Sequence, residues 1–253
     1  MVQLFSRDGE RGQRPAVVGC GVLVRREDRI LVFSAAHVLA EFKNKPAWMD
    51  AGEQLACFPG EYSCQLSGSP EMGNHERDRL DAAVCLLPPA VPADLARRAI
   101  DIRKIQGFTP TDGTLYMLLG YPANRTDIDQ AAKDIVSERM PLVLPELRQS
   151  AYTMGGYSRE THIMLEWRNE WKAATGTRRA RRLSGSSGAG IWAFVPGSVA
   201  MPQLVATFTE VTRIKGGKAY IGTRIVVHLQ LARDLLKHHQ ELRYSTPGAG
   251  SQA

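Results

Sequence analysis

Apolar residues in this chain gather in short, β-branched runs separated by turn residues, and only one stretch near the end breaks that rule. Val17-Val18-Gly19-Cys20-Gly21-Val22-Leu23-Val24 is followed by the polar turn Arg25-Arg26-Glu27-Asp28-Arg29 and then by Ile30-Leu31-Val32-Phe33-Ser34, the signature of a hairpin. The run over 80–87 is closed by Pro88-Pro89. Thr114-Leu115-Tyr116-Met117-Leu118-Leu119-Gly120-Tyr121-Pro122 reads as a buried strand stopped by glycine and proline, and strand candidates recur at 142–147, 162–167, 190–195, 204–210 and 219–225. Many short strands with turns between them predict two packed β-barrels or a sandwich rather than βαβ units. From Val226 to Lys237 the apolar spacing becomes helical. The expected layout is a first lobe over 14–90, a linker over 91–112 with a short helical stretch at Asp94 to Ala99, a second lobe over 113–225, a helix over 226–244 and a disordered Gly/Ser/Pro-rich tail over 245–253.

With 43% hydrophobic and 23% charged residues in 253, the chain is not of disordered or low-complexity composition. No apolar run approaches the roughly 20 residues needed to span a bilayer. The first ten residues are charged too early for a signal peptide, so a cytoplasmic protein without a membrane partner is expected. Cys20, Cys57, Cys64 and Cys85 form no metal pattern, so neither metal nor cofactor is expected and the thiols read as reduced, a Cys57–Cys64 bridge being the one pairing considered. The net charge of +6 leaves a nucleic-acid partner, an acidic substrate, or no special partner open.

Three segments carry potential chemistry: Phe33-Ser34-Ala35-Ala36-His37-Val38-Leu39, Asp78-Arg79-Leu80-Asp81-Ala82-Ala83-Val84 and Leu183-Ser184-Gly185-Ser186-Ser187-Gly188-Ala189-Gly190. Each alone has an ordinary reading: a half-buried histidine, an acid paired with a nearby arginine, a glycine-rich loop. Together they resemble the trypsin/chymotrypsin-like serine protease family over about Val17 to Ile225. Ala35-Ala36-His37 matches the histidine motif, Asp81-Ala82-Ala83-Val84 the aspartate motif and Gly185-Ser186-Ser187-Gly188 the nucleophile motif, in the His…Asp…Ser order of that family. An α/β-hydrolase needs Gly-x-Ser-x-Gly with histidine after the serine; here Ala189 occupies the last position, and His228, His238 and His239 fall in the predicted helix.

The resemblance implies an all-β protein of two six-stranded antiparallel β-barrels with a C-terminal α-helix, acting as an intracellular serine endopeptidase on a protein or peptide substrate. Ser187 would be the nucleophile and His37 the base that accepts its proton and returns it to the leaving amine. Asp81, with Asp78 as the rival, would orient the imidazole. The Gly185 and Ser187 N–H groups would form the oxyanion hole, where losing one donor costs about 3 kcal/mol of transition-state stabilisation. Ungapped counting places Arg181 at the base of the specificity pocket, lined by Thr207, Phe208 and Thr209 with Gly222 and Thr223 on the far wall; an arginine there would favour an acidic side chain before the scissile bond. The family's secreted members have Asp where this chain has Ser186, and a disulfide-forming Cys where it has Val38. These departures point to an intracellular, bacterial-type branch, and by analogy to a protease activated by a partner, as in anti-phage defence. The non-enzyme alternative is a catalytically silent scaffold that binds peptides or partners.

Between Glu166 and Ser187 six Lys/Arg face two Glu, so most of the positive excess lies just ahead of the nucleophile. Within it, Thr177-Arg178-Arg179-Ala180-Arg181-Arg182 reads as a solvated basic loop, a cleavable regulatory loop or a phosphate contact. No aromatic-interleaved motif accompanies it, so nucleic acid is not the expected partner.

Overall fold

Strands β2 (Ala16–Arg26) and β3 (Arg29–Ser34) form the expected hairpin, in register from Val22 opposite Phe33 to Arg26 opposite Arg29. Glu27 in the turn has a φ of 57°, as tight turns between right-twisted strands require. The computed structural model describes residues 1–6, 16–42, 45–50, 55–58, 63–68, 78–105, 108–123, 126–129, 134–167, 170–173, 176–179, 183–215 and 217–245.

Around the hairpin an eight-stranded sheet is built from β1 (Val2–Ser6), β4 (Ala47–Asp50), β5 (Leu55–Phe58), β6 (Ser63–Leu66) and β7 (Ala83–Leu86), in the order β5-β4-β1-β2-β3-β7-β6, with the short β8 (Ile100–Asp101) parallel to β2. A second, six-stranded antiparallel sheet contains β9 (Leu115–Gly120), β12 (Met140–Leu144), β13 (His162–Glu166), β16 (Gly190–Phe194), β17 (Gln203–Ile214) and β18 (Gly217–Arg224), in the order β12-β9-β16-β17-β18-β13. Two further hairpins, β10–β11 (Thr126–Asp129 with Asp134–Ser137) and β14–β15 (Glu170–Ala173 with Gly176–Arg179), pair with neither sheet. The helices are α1 (Ala36–Ala40), α2 (Ala93–Arg98), α3 (Gln149–Gly155) and α4 (Ile225–Ser245). The protein is therefore mostly β, with two curled antiparallel sheets and a C-terminal helix. Among the described residues no helix is long and apolar enough to cross a membrane.

Each sheet buries its own core. Leu23, Val32, Ala83 and Leu87 pack inside the first, and Leu118, Leu142, Ile163 and Ile191 inside the second. A third cluster joins them: Val22, Val24, Phe33 and Val84 of the first sheet meet Leu204 of the second and Ile225, Leu229, Ala232 and Leu235 of α4. The i, i+4, i+7 spacing of those helix residues is what the sequence pattern anticipates.

Three boundaries differ from expectation. The first sheet has eight strands rather than six and includes β1, which lies before residue 14; Val2, Leu4 and Phe5 are wholly buried, but the run is too short to stand out beside its charged neighbours. The 91–112 segment is more than a spacer, because Leu95 and Ile105 are buried in two different clusters and β8 pairs with β2. Finally, α4 starts at Ile225 and includes Ser245, and 246–253 lie outside the described residues.

Candidate active site

The histidine comes from the end of β3. Its apolar run carries the chain into the core up to Ser34, and α1 then turns His37 outward with its side chain 45% exposed. Asp81 stands just before β7 and adopts a φ of +42°, a left-handed conformation that aspartate tolerates better than most residues. That conformation brings its carboxylate, only 15% exposed, against His37: the His37 N–H donates to Oδ1 at 3.0 Å, and Nδ1 lies 2.7 Å from Oδ2. The Ala36 N–H donates to the Asp81 carbonyl at 3.1 Å, so the two segments are locked through backbone as well as side chain. Burial disfavours the imidazolium, but the Asp81 hydrogen bond and charge, aided by Glu210 and Glu41, outweigh it and raise His37 above its ordinary value.

Asp78, the rival acid, faces elsewhere. Its carboxylate accepts from the Ser67 hydroxyl and, at 3.1 Å, from the Leu80 N–H, so it shapes the turn before Asp81. That turn is docked on the second sheet, where the Arg79 carbonyl accepts from His162 Nε2 at 2.8 Å and the Leu80 carbonyl from the Thr223 hydroxyl.

Ser187 sits in a turn whose two flanking glycines, Gly185 and Gly188, both have φ near +83°. Strand β2 grips this turn from the other sheet. The Cys20 N–H donates to the Ser187 carbonyl at 2.7 Å and the Cys20 thiol to the Gly185 carbonyl at 3.3 Å, while burial pushes that thiol up to about 12. A Cβ at Gly188 would stand 2.0 Å from the Cys20 carbonyl oxygen and 2.3 Å from Ser34 Oγ, so only glycine allows this approach. On the far side, the Gly188 N–H donates to the Phe208 carbonyl at 2.7 Å. The Gly185 and Ser187 N–H groups donate to no backbone acceptor among the described residues.

His37 and Ser187 line one cavity of about 580 Å³, whose walls include Trp167, Phe208, Thr209, Glu210, Lys218 and Tyr220. A bulge in β17 sits there: Phe208 pairs with Gly222 and Glu210 with Ile221, leaving Thr209 unpaired and re-aiming its neighbours towards the cavity. The Ser187 hydroxyl donates to the Thr209 carbonyl at 3.1 Å and makes no hydrogen bond with His37. Glu210 also accepts from the Tyr157 hydroxyl at 2.9 Å, and the Lys218 ammonium lies 4.8 Å from the centre of the Trp167 ring.

Of the pocket residues expected from sequence, Phe208 and Thr209 line this cavity. Thr207, Gly222 and Thr223 do not. Thr207 is buried against His228 at 3.1 Å, Gly222 is wedged against Ile191 and the Thr207 carbonyl, and Thr223 anchors the turn before Asp81. Ungapped counting could not see the β17 bulge, which changes which residues face the cleft. Arg181, with Arg182, lies outside the described residues.

Two residues that sequence reasoning missed support the site. Cys20 holds the Ser187 turn, and nothing in its run marks it out. His228 of α4 is wholly buried: its Nε2 lies 3.0 Å from the Ser34 carbonyl and 3.1 Å from the Thr207 hydroxyl, tying the strand that leads to His37 to the strand beside Ser187. The signal for His228 was present, because it shares the apolar face of α4 with Ile225, Leu229 and Ala232. Burial pushes it down to about 4, so it is neutral at physiological pH. The sequence matches no protein-family model and no curated protein.

Proposed function

We propose that the protein is a serine endopeptidase that cleaves peptide bonds of a protein substrate through an acyl-enzyme on Ser187. The observation that carries this reading is the cavity shared by an Asp81-oriented His37 from one sheet and Ser187 from the other, with two N–H groups beside the serine that have no backbone acceptor among the described residues. In the reaction, Ser187 rotates from the Thr209 carbonyl to His37, which takes its proton as the oxygen attacks the substrate carbonyl. The oxyanion forms against the Gly185 and Ser187 N–H groups, His37 returns the proton to the leaving amine, and water activated by His37 releases the acyl group. No metal or cofactor enters this chemistry.

The finer architecture belongs to the same reading: each sheet is one barrel of a trypsin-like pair. Support comes from the second sheet, whose last strand returns to the segment after its first. The Glu166 N–H donates to the Pro145 carbonyl at 3.1 Å, the Leu147 N–H donates to that of Met164 at 2.8 Å, and Glu146 bridges Leu165. The preference for an acidic side chain before the scissile bond rests on Arg181, and a peptide library favouring Arg or Leu at that position would remove it. Partner activation fits the serine's present hydrogen bond to Thr209, which must be exchanged for one to His37.

That same bond favours the second reading, a silent scaffold that binds peptides. A fluorophosphonate probe separates the two: the endopeptidase labels and its Ser187→Ala variant does not, whereas wild-type protein that stays unlabelled at saturating probe assigns the scaffold role.

A further inference from the structure

Strand β6 lies at the edge of the first sheet and pairs with β7 in a register that sets Cys64 directly opposite Cys85. The Ser67 N–H donates to the Ala82 carbonyl at 2.8 Å, so Ser67 and Ala82 are a hydrogen-bonded pair. Pairs alternate along an antiparallel ladder, which makes Leu66–Ala83 and Cys64–Cys85 non-hydrogen-bonded ones. At such pairs the Cα atoms stand about 4.5 Å apart and the side chains are closest, within the span a disulfide bridges. Both side chains point to the same face: Cys85 alternates inward with Ala83 and Leu87, and Leu66 packs against that cluster from β6. Cys64 is exposed, Cys85 is 4% exposed, and both are free thiols.

We infer that Cys64 and Cys85 form a redox-responsive pair, converted reversibly to a disulfide by exchange with a small disulfide such as oxidised glutathione. The exposed Cys64 reacts first. Its thiolate attacks one sulfur of glutathione disulfide, breaks the S–S bond and expels one glutathione thiolate, leaving a mixed disulfide. Cys85 then loses its proton to water, and its sulfur attacks that of Cys64 and expels the second glutathione. Two protein thiols are oxidised and one glutathione disulfide is reduced to two thiols. The hydrogen bond between the two cysteines, together with burial, holds Cys85 well above the usual thiol range, so the second step is the slow one and quickens with rising pH. The Cys57–Cys64 bridge considered from the sequence is not the pairing the strand register favours, because Cys57 on β5 sits opposite Trp48 whereas Cys64 sits opposite Cys85.

The cross-link would lie beside the turn that carries Asp81, where Ser67 accepts from the Ala82 N–H at 2.9 Å. It would fix an edge strand that is otherwise mostly exposed. This inference is independent of whether Ser187 is a nucleophile.

The test uses the full chain, reduced, freed of reductant and incubated with oxidised glutathione at mildly alkaline pH. The thiol count should fall from four to two, the intact mass by two hydrogens, and digestion should yield a Cys64–Cys85 linked peptide, all reversed by a dithiol. Cys57→Ser should still form the link and Cys64→Ser should not. Glutathione retained on Cys64 without the cross-link, a Cys57–Cys64 link, or an unchanged thiol count would each overturn the inference.

Discussion

Substituting Gly188 by alanine tests how tightly the first sheet holds the Ser187 turn. The cost has three parts. A φ of +83° places an L-residue in the left-handed region, at about 1–2 kcal/mol. The new Cβ would stand 2.0 Å from the Cys20 carbonyl oxygen, which is backbone and cannot swing aside, so β2 and the turn must separate, at roughly 1–3 kcal/mol for an overpacked site. Separation stretches the Cys20 N–H to Ser187 carbonyl bond and the Gly188 N–H to Phe208 carbonyl bond, both 2.7 Å, at about 1 kcal/mol each. The total, about 4–7 kcal/mol, is a large part of the roughly 5–15 kcal/mol that stabilises a typical domain. Gly113→Ala is the control, because Gly113 has nearly the same φ, +82°, with nothing within 4 Å of its Cβ position, and should lose only the conformational part. Urea unfolding of both variants, compared at equal m, should place Gly188→Ala about 3–5 kcal/mol below Gly113→Ala. Equal losses would show that the turn is not clamped by β2.

The remaining predictions concern the charges and polar groups of the site. Asp81→Asn removes the anion 2.7 Å from His37 Nδ1; fluorophosphonate labelling of Ser187 should slow roughly 10⁴-fold, and the His37 pKa followed by NMR should fall, an unchanged titration refuting the pairing. His228 is pushed down to about 4, against about 6.5 in the unfolded chain, so the unfolded state binds the extra proton between these values. Stability should therefore fall by about 3 kcal/mol as pH drops through that window, and His228→Gln, which keeps a donor for the Ser34 carbonyl, should flatten the loss in urea titrations. The Ser186 hydroxyl is wholly buried without a partner among the described residues, so Ser186→Ala should raise stability by about 1 kcal/mol, and destabilisation would mean the hydroxyl has a partner in solution.

The strands built on one apolar run, β2, β3, β9 and β16 to β18, were legible because short apolar runs between turn residues have few other ways to fold. Strands β4 to β6 were not, since pieces such as Ser63-Cys64-Gln65-Leu66 are short, polar and held by their neighbours rather than by propensity. The His37–Asp81 contact followed from motif and order alone. Pocket lining did not, because a bulge at Thr209 and the docking of the Asp81 turn through Thr223 and His162 depend on packing between sheets, to which spacing along the chain is blind.

Helix α4 joins strands of both sheets through His228 and its apolar face, yet it is made after every one of those strands. Chains fold as they emerge from the ribosome, N-terminal parts first. The two halves can thus collapse around their own cores while the clasp between His37 and Ser187 is still unsynthesised. A nascent chain halted before Ile225 would carry all three site residues without the link that ties their strands, so assembly of the site is timed by synthesis and not only by sequence.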